Sequence, residues 1–594
     1  MNYDSLIDKL IDLAIEEDIN TGDITTESII PASSKAVATM VAKADGVISG
    51  LNVVETVFRR FQKDIEFTPY LKNGDRVKKG DLILKVEGSY PALLKGERLA
   101  LNFFQRMSGI ATETAKYTEC LKGTHTQLLD TRKTAPGMRV TDKQAVKDGG
   151  GTNHRMGLYD MVMIKDNHIK MAGSITKAVE QVRAKIPAGI RVEVETTTLD
   201  EVREALAMKA DVIMLDNMSN EMMAEAVRII DGKAQTEASG NMLVDRLKAV
   251  AATGVDFISV GALTHSVKAL DISMNLRLSE DQLIEDIKKF KKEKNAVILA
   301  HYYVDGRIQD IADFVGDSLE LSRKAATTDA DVIVFCGVKF MAETAAVIAP
   351  GKKVILPVLN AGCSLADGVT GEELKEWHKN NPNGVVVSYV NTTADVKAET
   401  DICCTSANAV KVVEALRAGK VPGLEKFDKI LFVPDENLGG YINTTSSSGM
   451  GLWNGYCVVH REITSEVIRQ RLAEYPDADI LIHPESKCSS DPEILNNPRC
   501  FFYSTSGIIK HVAASNKKRF VIATECGVLH KLKQTYPDRE FIPICESAVC
   551  NDMKKVTLET LYYALKNEQY VITVPKEIAD KAAVSIQRML DLCK

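Results

Sequence analysis

Cysteine is distributed unevenly along this chain of 594 residues. Residues 1–335 contain only Cys120, whereas residues 336–594 contain the other eleven of the 12 cysteines. Between the halves, residues 279–294 place apolar side chains at positions 283, 284, 287 and 290, which is helical spacing, and Ser279 is a suitable N-cap. The pattern predicts two proteins joined end to end, with residues 278–294 as a junction helix.

Length and composition limit the classes of protein. A chain this long exceeds one hydrophobic core, and about three to five domains are expected. A net charge of −7 indicates no general affinity for nucleic acid. The chain has neither an apolar run of membrane-spanning length nor the basic and apolar N-terminal pattern of a signal peptide. We therefore expect a cytoplasmic protein with no membrane partner, whose cysteines are thiols, metal ligands or catalytic groups.

The first 120 residues predict helices and β-sheet. Residues 1–24 have an amphipathic pattern, residues 36–90 form short strands separated by turns, and residues 92–120 form a helix. Residues 73–83 are similar to a lipoyl or biotinyl hairpin. They lack the exposed Met-Lys-Met lysine that a carrier domain needs, so we interpret them as structural sheet.

From residue 127, six strand-like runs alternate with helical or loop segments, which is typical of parallel sheet. The runs are 127–129, 161–164, 191–195, 212–215, 235–238 and 257–260. Polar residues or glycines end each run: Thr131, Arg132 and Lys133; Lys165; Glu195; Asp216; Ser239, Gly240 and Asn241; and Gly261. Any one of them could simply cap a strand or a helix. Such residues end all six runs, and the carboxyl ends of the strands of a β/α barrel open on one face. The sequence therefore predicts a binding site on that face.

The residue types at that mouth indicate a multiply anionic ligand. Six cationic or potentially cationic residues belong to it: Arg98, Arg132, Lys133, His154, Arg155 and Lys165. Glu195 and Asp216 offer oxygen atoms suited to Mg²⁺ on a pyrophosphate. The turns at 239–241 and 261–263 each lead into a helix and offer backbone N–H groups to a phosphate.

Several motifs of the first half are specific as a set. They are Gly96-Glu-Arg98 with Asn102, Asp130-Thr-Arg-Lys-Thr134, Gly149-Gly-Gly-Thr-Asn-His-Arg155, Ile164-Lys-Asp-Asn-His168, Leu215-Asp-Asn217 and Glu237-Ala-Ser-Gly240. Together they closely resemble quinolinate phosphoribosyltransferase over residues 1–277. The resemblance implies an N-terminal α/β sandwich, an incomplete β/α barrel, and conversion of quinolinate and PRPP to nicotinate mononucleotide, CO₂ and pyrophosphate. A nicotinate-using phosphoribosyltransferase is the alternative, which would release no CO₂.

The same resemblance implies roles for individual residues. Arg98 would reach the site of a neighbouring subunit in a homodimer, and Lys133 would lie near the PRPP phosphates. Quinolinate would be held by Thr131, Arg132, His154, Arg155 and Lys165. Glu195 and Asp216 would act at the ribose and Mg²⁺, while Ser239, Gly240, Asn241 and Gly261 would hold the 5′-phosphate. The implied catalytic residues are Lys133, Lys165, Glu195 and Asp216.

The second half again alternates apolar strand-like runs with helical segments. The runs are 296–300, 332–336, 354–358, 385–390, 430–433, 456–459, 480–482, 500–503, 520–523 and 541–544. Polar residues follow several of them, namely His301 and Tyr303, Tyr389 and Asn391, His483 and Glu485, and Ser504 with Thr505. These positions predict a ligand crevice at the carboxyl ends of open α/β sheets.

Three cysteines have nearly equal spacing. Cys363, Cys457 and Cys550 are separated by 94 and 93 residues, which favours three α/β units that each supply one thiolate. Spacing alone is weak evidence, because eleven cysteines allow many near-equal triplets. Cys336 would break the repeat and is predicted to be a buried apolar residue. The absence of a Cys-x-x-Cys pair disfavours a zinc ribbon.

Motifs of the second half resemble quinolinate synthase over residues 281–594. They are Ala300-His-Tyr-Tyr303, Gly316-Asp-Ser-Leu-Glu-Leu-Ser322, Cys336-Gly-Val-Lys-Phe-Met-Ala-Glu343, Ala361-Gly-Cys363, Ser388-Tyr-Val-Asn391, Thr405-Ser-Ala-Asn408, Pro434-Asp-Glu-Asn-Leu-Gly439, His483-Pro-Glu485 and Ser504-Thr-Ser506. The resemblance implies three αβα sandwich domains in pseudo-threefold arrangement around a [4Fe–4S] cluster. Three cysteines would bind it, and the fourth iron would act as a Lewis acid. The implied reaction condenses iminoaspartate with dihydroxyacetone phosphate to quinolinate, phosphate and water.

By this resemblance, Cys363, Cys457 and Cys550 are the cluster ligands, and Tyr303 and Glu485 transfer protons. The implied substrate-binding residues are His301, Ser318, Tyr389, Val390, Asn391, Ser406, His483, Pro484, Glu485 and Thr505. In many members of the family a cysteine follows the His-Pro-Glu motif, whereas here Ser486 follows and Cys488 comes two residues later. The choice among residues 504–506 for the phosphate therefore stays open.

Combining both halves, we predict a bifunctional enzyme of NAD biosynthesis. The predicted domains are a sandwich at 1–110, a barrel at 111–277, the junction helix at 278–294 and three αβα units at 295–594. A separate chain must supply iminoaspartate. The rival hypothesis is an iron–sulfur regulatory protein that keeps only one activity.

Overall fold

The computed structural model describes residues 3–592 of the chain and divides into two compact units. The division lies between Gln282 and Leu283. Residues 1 and 2 of the predicted N-terminal amphipathic segment lie outside the described residues. Within the described part of the chain, every helix is too short or too polar to cross a membrane.

Helices and strands of the first unit lie close to the predicted runs. The helices are α1 (Tyr3–Asp18), α2 (Ile24–Ile29), α3 (Leu51–Phe61), α4 (Tyr90–Leu121), α5 (Arg139–Asp148), α6 (Asp166–Ala172), α7 (Ile175–Arg183), α8 (Leu199–Ala207), α9 (Asn220–Ile230), α10 (Val244–Ala251) and α11 (Ala262–His265). The strands are β1 (Lys35–Ala42), β2 (Gly46–Val47), β3 (Glu66–Pro69), β4 (Arg76–Val77), β5 (Leu82–Ser89), β6 (Gln127–Leu129), β7 (Val162–Ile164), β8 (Val192–Thr196), β9 (Val212–Asp216), β10 (Gln235–Ser239), β11 (Phe257–Ser259) and β12 (Ile272–Leu278).

An antiparallel sheet in the order β12-β1-β5-β3 forms the first layer. Ala36, Ala38, Met40 and Ala42, every second residue of β1, are the most deeply buried, which is the period expected of a strand with one face on the core. β12 pairs with β1 so that Leu278 lies opposite Ala36. The end of the first half therefore returns to the sheet with which the half begins.

The 32-residue helix α4 is the central element of the first unit. Ser89 caps its N-terminus by accepting a hydrogen bond from the N–H of Ala92. At Gly109 the segment before β12 passes so close that an added Cβ would collide with the carbonyl of Lys268. The predicted division at residue 110 falls inside this continuous helix.

The second layer is the predicted incomplete barrel. Six parallel strands have the order β6-β11-β10-β9-β8-β7, and β6 and β7 form its two edges. A single bridge pairs Leu129 at the end of β6 with Thr152. The fold class of the first half is confirmed, including the weakly apolar strand β10.

The junction is helical, as predicted. Helix α12 spans Glu280–Glu293, and Leu283 and Ile287 on its apolar face are buried. The N–H of Gln282 donates to the Ser279 hydroxyl over 3.2 Å, so Ser279 caps the helix.

Elements of the second unit follow in chain order. The strands are β13 (Ala296–His301), β14 (Phe314–Gly316), β15 (Val332–Cys336), β16 (Lys353–Ile355), β17 (Gly384–Tyr389), β18 (Ile402–Cys404), β19 (Lys429–Val433), β20 (Gly451–Leu452), β21 (Asp479–Ile482), β22 (Cys500–Phe502), β23 (Arg519–Ala523) and β24 (Glu540–Pro543). The helices are α13 (Gly306–Ile311), α14 (Ser318–Thr327), α15 (Lys339–Ile348), α16 (Gly371–Asn380), α17 (Ala394–Ala398), α18 (Ala409–Arg417), α19 (Glu436–Ser446), α20 (Ser465–Glu474), α21 (Pro492–Leu495), α22 (Thr505–Ala514), α23 (Val528–Thr535), α24 (Asn551–Lys554), α25 (Leu558–Asn567) and α26 (Lys576–Leu592).

These twelve strands form three parallel sheets of identical topology. The orders are β14-β13-β15-β16, β18-β17-β19-β20 and β22-β21-β23-β24, so each sheet runs second, first, third, fourth. This confirms the three predicted α/β units. Cys363, Cys457 and Cys550 each follow the fourth strand of one sheet.

Some local predictions in the second unit were wrong. Strands β14, β18 and β20 were missed, because two or three residues are too few to show a period. The predicted strand at 456–459 is a loop that leads into a 3-10 turn at His460–Glu462. Two of its apolar residues contribute to cores, because Cys457 packs against two core clusters and Val459 is buried in one of them, whereas Val458 is exposed.

Candidate active sites

The carboxyl ends of the barrel strands enclose a cavity of about 850 Å³ in the first unit. Twelve predicted residues line it: Thr131, Arg132, Lys133, His154, Arg155, Lys165, Glu195, Asp216, Ser239, Gly240, Asn241 and Gly261. Parallel strands in register bring these distant positions together. Arg98 is exposed on α4 and is absent from the lining residues.

Two arginines give the cavity its anion-binding character. The Nε of Arg132 is buried and has no acceptor within the described chain. Arg155 is held by the carbonyl of Met161 at 3.1 Å. Burial and then the charge of Arg132 lower the pKa of Arg155. Two close guanidinium groups with a free donor indicate a site for a carboxylate or phosphate.

His154 lies at the cavity but is held by the protein on every side. Its Nε2 is 3.0 Å from Glu193 and 3.3 Å from Glu237, both buried. Its Nδ1 accepts the N–H of Arg155 at 2.8 Å. Both ring nitrogens thus have protein partners, and these contacts place His154 beside Arg155 at the cavity. The binding of quinolinate by His154 stays a prediction.

A buried ion pair fixes the backbone of the same segment. Lys143 Nζ contacts Asp130, and both side chains are fully buried. Asp130 accepts the N–H of His154 at 2.8 Å, and Lys143 donates to the carbonyl of His154 at 3.0 Å. The pair thus joins the segment that carries Arg132 to the segment that carries Arg155.

The acidic and glycine-containing side of the cavity is also ordered. Lys165 Nζ lies 2.9 Å from Glu195, and Asn217 donates to Asp216 over 2.8 Å. Gly240 has a φ of +94°, which suits glycine, and an added Cβ there would collide with the amide of Asn217. Backbone N–H groups in such a turn suit a phosphate.

The second unit has one cavity that all three sheets line. Cys363, Cys457 and Cys550 are among its lining residues, as are nine further predicted residues: His301, Tyr303, Ser318, Tyr389, Asn391, Ser406, His483, Glu485 and Thr505. Val390 and Pro484 are buried but are absent from the lining. Cys336 is fully buried at the end of β15 and is also absent.

Three cysteine loops share one local design. Backbone N–H groups two or three residues later donate to each sulfur: Leu365 and Ala366 to Cys363, His460 to Cys457, and Asp552 and Met553 to Cys550. Burial raises the pKa of each thiol, and these donors oppose that effect. N–H donors around thiolates are the usual surroundings of an iron–sulfur cluster, so the residues present fit one.

A chain of hydrogen bonds crosses this second cavity. The Tyr303 hydroxyl is 2.7 Å from the Thr524 hydroxyl, which is 2.9 Å from His460 Nε2. His460 Nδ1 lies 3.2 Å from Cys457 Sγ and 3.3 Å from Glu485, and Glu485 accepts a hydrogen bond from the Tyr389 hydroxyl. Tyr303 and Glu485, the two predicted proton-transfer residues, are therefore connected through Thr524 and His460.

Burial controls the charge of these groups. It lowers the pKa of His301 and His483 to about 4, so both rings are neutral at neutral pH. Burial also opposes ionisation of Glu485, but His483 and His460 beside it lower its pKa to about 2. Burial raises the pKa of Tyr303 far above its ordinary value. Glu485 is therefore an anion and Tyr303 a neutral hydroxyl.

Sequence reasoning missed several residues at the two sites: Glu193, Glu237, Asp317, His460, Thr524 and Glu525. Asp317 and Glu237 stood inside quoted motifs, but only the fold shows that each reaches a cavity. Asp317 accepts the Ser506 hydroxyl at 2.5 Å, whereas Thr505 lines the cavity and lies 2.8 Å from the Tyr303 hydroxyl. This geometry favours Thr505 among residues 504–506.

Family models match both halves of the chain. The model of quinolinate synthetase A protein matches residues 285–591. The N-terminal and C-terminal domain models of quinolinate phosphoribosyl transferase match residues 23–108 and 110–275.

Individual relatives agree with these matches. Quinolinate synthase of Pyrobaculum aerophilum is 46% identical over 314 residues, which is 52% of this chain and 99% of the relative. That of Thermodesulfovibrio yellowstonii is 47% identical over 313 residues, again 52% of this chain and 99% of the relative. A crystal structure of NadC from Streptococcus pyogenes is 42% identical and covers 46% of this chain and 97% of its own, with a TM-score of 0.45.

Proposed function

Because the chain belongs to the quinolinate synthetase A family and contains both domains of quinolinate phosphoribosyl transferase, we propose that it catalyses two consecutive steps of NAD biosynthesis. The second unit condenses iminoaspartate with dihydroxyacetone phosphate to quinolinate, phosphate and water. The first unit converts quinolinate and PRPP to nicotinate mononucleotide, CO₂ and pyrophosphate.

In the first unit, cations bind the two carboxylates of quinolinate. Arg132 supplies a buried and unpartnered Nε, and Arg155 lies beside it. Thr131, His154 and Lys165 complete the polar wall, while Lys133 faces the phosphates of PRPP. Charge develops on the departing carboxylate and pyrophosphate, and fixed cations stabilise both.

PRPP would bring Mg²⁺ into the opposite side of this cavity. Glu195 and Asp216 carry the hard oxygen atoms that Mg²⁺ and ribose hydroxyls accept. The turn at Ser239, Gly240 and Asn241, together with Gly261, would hold the 5′-phosphate through backbone N–H groups. We propose that Arg98 acts in the site of a neighbouring subunit, which makes the protein a homodimer.

In the second unit, Cys363, Cys457 and Cys550 would hold a [4Fe–4S] cluster. With three cysteine ligands, such a cluster supplies one iron that is free to act as a Lewis acid on a substrate oxygen. The observation that supports this proposal is the convergence of three thiols from three sheets on one cavity.

Proton movements in that cavity fall to this chain's own residues. We assign proton transfer to Glu485, which is ionised, and to the Tyr303 hydroxyl, which is neutral. Thr524 and His460 connect the two, so a proton taken at one end returns at the other. The neutral groups His301, Ser318, Tyr389, Asn391, Ser406, His483 and Thr505 bind and orient substrates.

Turnover of the full chain tests this function. Anaerobically purified protein should contain iron and sulfide, and it should convert iminoaspartate, dihydroxyacetone phosphate and PRPP to nicotinate mononucleotide. Release of CO₂ distinguishes quinolinate from nicotinate as the substrate of the first unit. A protein that holds a cluster but lacks one half-reaction would instead support the iron–sulfur regulatory hypothesis. We propose a cytoplasmic location, with iminoaspartate supplied by a separate enzyme.

A further inference from the structure

Lys554 ends α24, the short helix that directly follows Cys550, yet the proposed mechanism gives it no role. Its Nζ donates to the backbone carbonyl of Tyr303 over 2.6 Å and lies 3.3 Å from Glu525. Glu525 is fully buried and lines the cavity. One of its oxygens accepts the N–H of Cys550 at 3.2 Å, and the other accepts the N–H of Gly527 at 2.6 Å.

These contacts tie together three segments that carry the proposed chemistry. Cys550 supplies a thiol, Tyr303 supplies a hydroxyl, and Gly527 packs between them. An added Cβ at Gly527 would lie 2.7 Å from the carbonyl of Tyr302 and 2.8 Å from the Cα of Tyr303. The arrangement leaves little freedom for either loop to move alone.

The corresponding positions of the other two sheets share only part of this arrangement. Two residues after the third strand of each sheet stand Val338, Asp435 and Glu525. Val338 is apolar, whereas Asp435 is buried and accepts the N–H of Leu438 at 2.6 Å and the N–H of Cys457. Among the described residues no lysine pairs with Asp435, so the lysine at the buried carboxylate distinguishes the third unit.

We propose that Glu525 and Lys554 form one clasp, which fixes the cluster ligand Cys550 relative to the proton-transfer residue Tyr303. Both are positioning residues, and the inference rests on the function proposed for the second unit. Buried carboxylates that orient a metal ligand typically change metal retention by roughly 10- to 100-fold when they are altered.

A double-mutant cycle in the full chain tests the clasp. Glu525→Gln replaces one carboxylate oxygen by an amide NH₂, which cannot accept from the N–H of Cys550 or Gly527. Lys554→Met keeps the apolar stem but loses the contacts with the Tyr303 carbonyl and with Glu525. We expect a chelator to remove iron about 10-fold faster from each single variant. The double variant should lose iron no faster than the faster single variant. The proposal would be overturned if the two substitutions accelerated iron loss multiplicatively in the double variant. It would also be overturned if both single variants lost iron at the wild-type rate.

Two further measurements separate positioning from general damage. Replacing the Glu525 carboxylate should shift the cluster's midpoint potential upward, because a negative charge leaves the cavity wall, whereas Glu546→Gln on the exposed surface should not. Lys576→Met at an exposed salt bridge is the lysine control. If the Lys554→Met variant does not accumulate, Lys554→Arg replaces it and should lose iron as slowly as the wild type. Fast iron loss from Lys554→Arg would contradict the clasp. A wild-type protein without iron and sulfide would refute the proposed function instead.

Discussion

The two cavities use opposite means to bind anionic substrates. The first is open and cationic: Lys133 is exposed, and 47% of the Lys165 side chain is accessible. In the second, His301, His483, Glu485 and Thr505 are all less than 5% exposed, and its lining residues in the described chain include neither Lys nor Arg. Fixed cations suffice where charge arrives with the substrates. For the buried cavity without lysine or arginine we propose another source of positive charge, a metal centre that its three thiols are suited to hold.

The largest expected effect comes from removing a thiol of the second cavity. Cys363→Ala should abolish the cluster and quinolinate synthesis, because one of three ligands is lost. Conversion of supplied quinolinate to nicotinate mononucleotide should be unchanged. Anaerobic iron analysis and the two separate assays check this.

Cys336→Ala is the matched control for that experiment. Cys336 is fully buried in β15 and lies outside the cavity lining, so the variant should keep its cluster. Iron retained in Cys363→Ala but lost in Cys336→Ala would contradict the assignment of ligands.

The next largest effect concerns the cationic cavity. Arg132→Lys keeps the charge but loses the planar fork and the buried Nε donor. Losing a charge-assisted hydrogen bond costs about 1.5–3 kcal/mol, so quinolinate binding should weaken roughly 10- to 100-fold. Steady-state kinetics of the first reaction measure the change, while quinolinate synthesis serves as the internal control. An unchanged KM for quinolinate would refute the role of Arg132.

The sequence predicted the two sites to different extents. Strand ends predicted the lining of the barrel mouth well, because parallel strands in register place their carboxyl ends together. Equal spacing of cysteines predicted the three sheets, because each cysteine follows the fourth strand. The engaged nitrogens of His154 and the role of Glu525 could not be predicted. Both depend on side-chain contacts between residues far apart in sequence, for which a periodic pattern carries no information.

Each unit contains one of two fully buried lysines, Lys143 and Lys397, and replacing each lysine tests what it contributes to the free energy of unfolding of its unit. Lys143 is fully buried and paired with Asp130, so Lys143→Met leaves a buried carboxylate without its partner. We expect the first unit to lose about 3–5 kcal/mol of unfolding free energy. Loss of phosphoribosyl transfer during urea titration measures this. A midpoint equal to that of the wild type would show that the pair does not stabilise the fold.

Lys397 in the second unit is fully buried but, within the described chain, its Nζ donates only to the carbonyl of Thr392, and burial lowers its pKa to about 8. Above pH 8 the unfolded chain binds more protons than the folded one, so stability should rise up to about pH 10.4. The gain is about 3 kcal/mol at most, at about 1.4 kcal/mol per pKa unit. Lys397→Met should lack this rise. Both tryptophans, Trp377 and Trp453, lie in the second unit, so their fluorescence reports its unfolding alone.

The smallest expected effect is that of separating the units. β12 extends to Leu278, which pairs with Ala36, so a cut at 277 would shorten the first sheet. A better division gives fragments 1–279 and 279–594. The first fragment keeps all of β12, and the second keeps Ser279 as the cap of α12. The buried core of the first unit ends at Ile272, and the cores of the second begin after residue 282. Each fragment should therefore keep its own reaction with unchanged kcat, measured with supplied substrates. Loss of solubility in both would show that the two catalytic units depend on each other to fold.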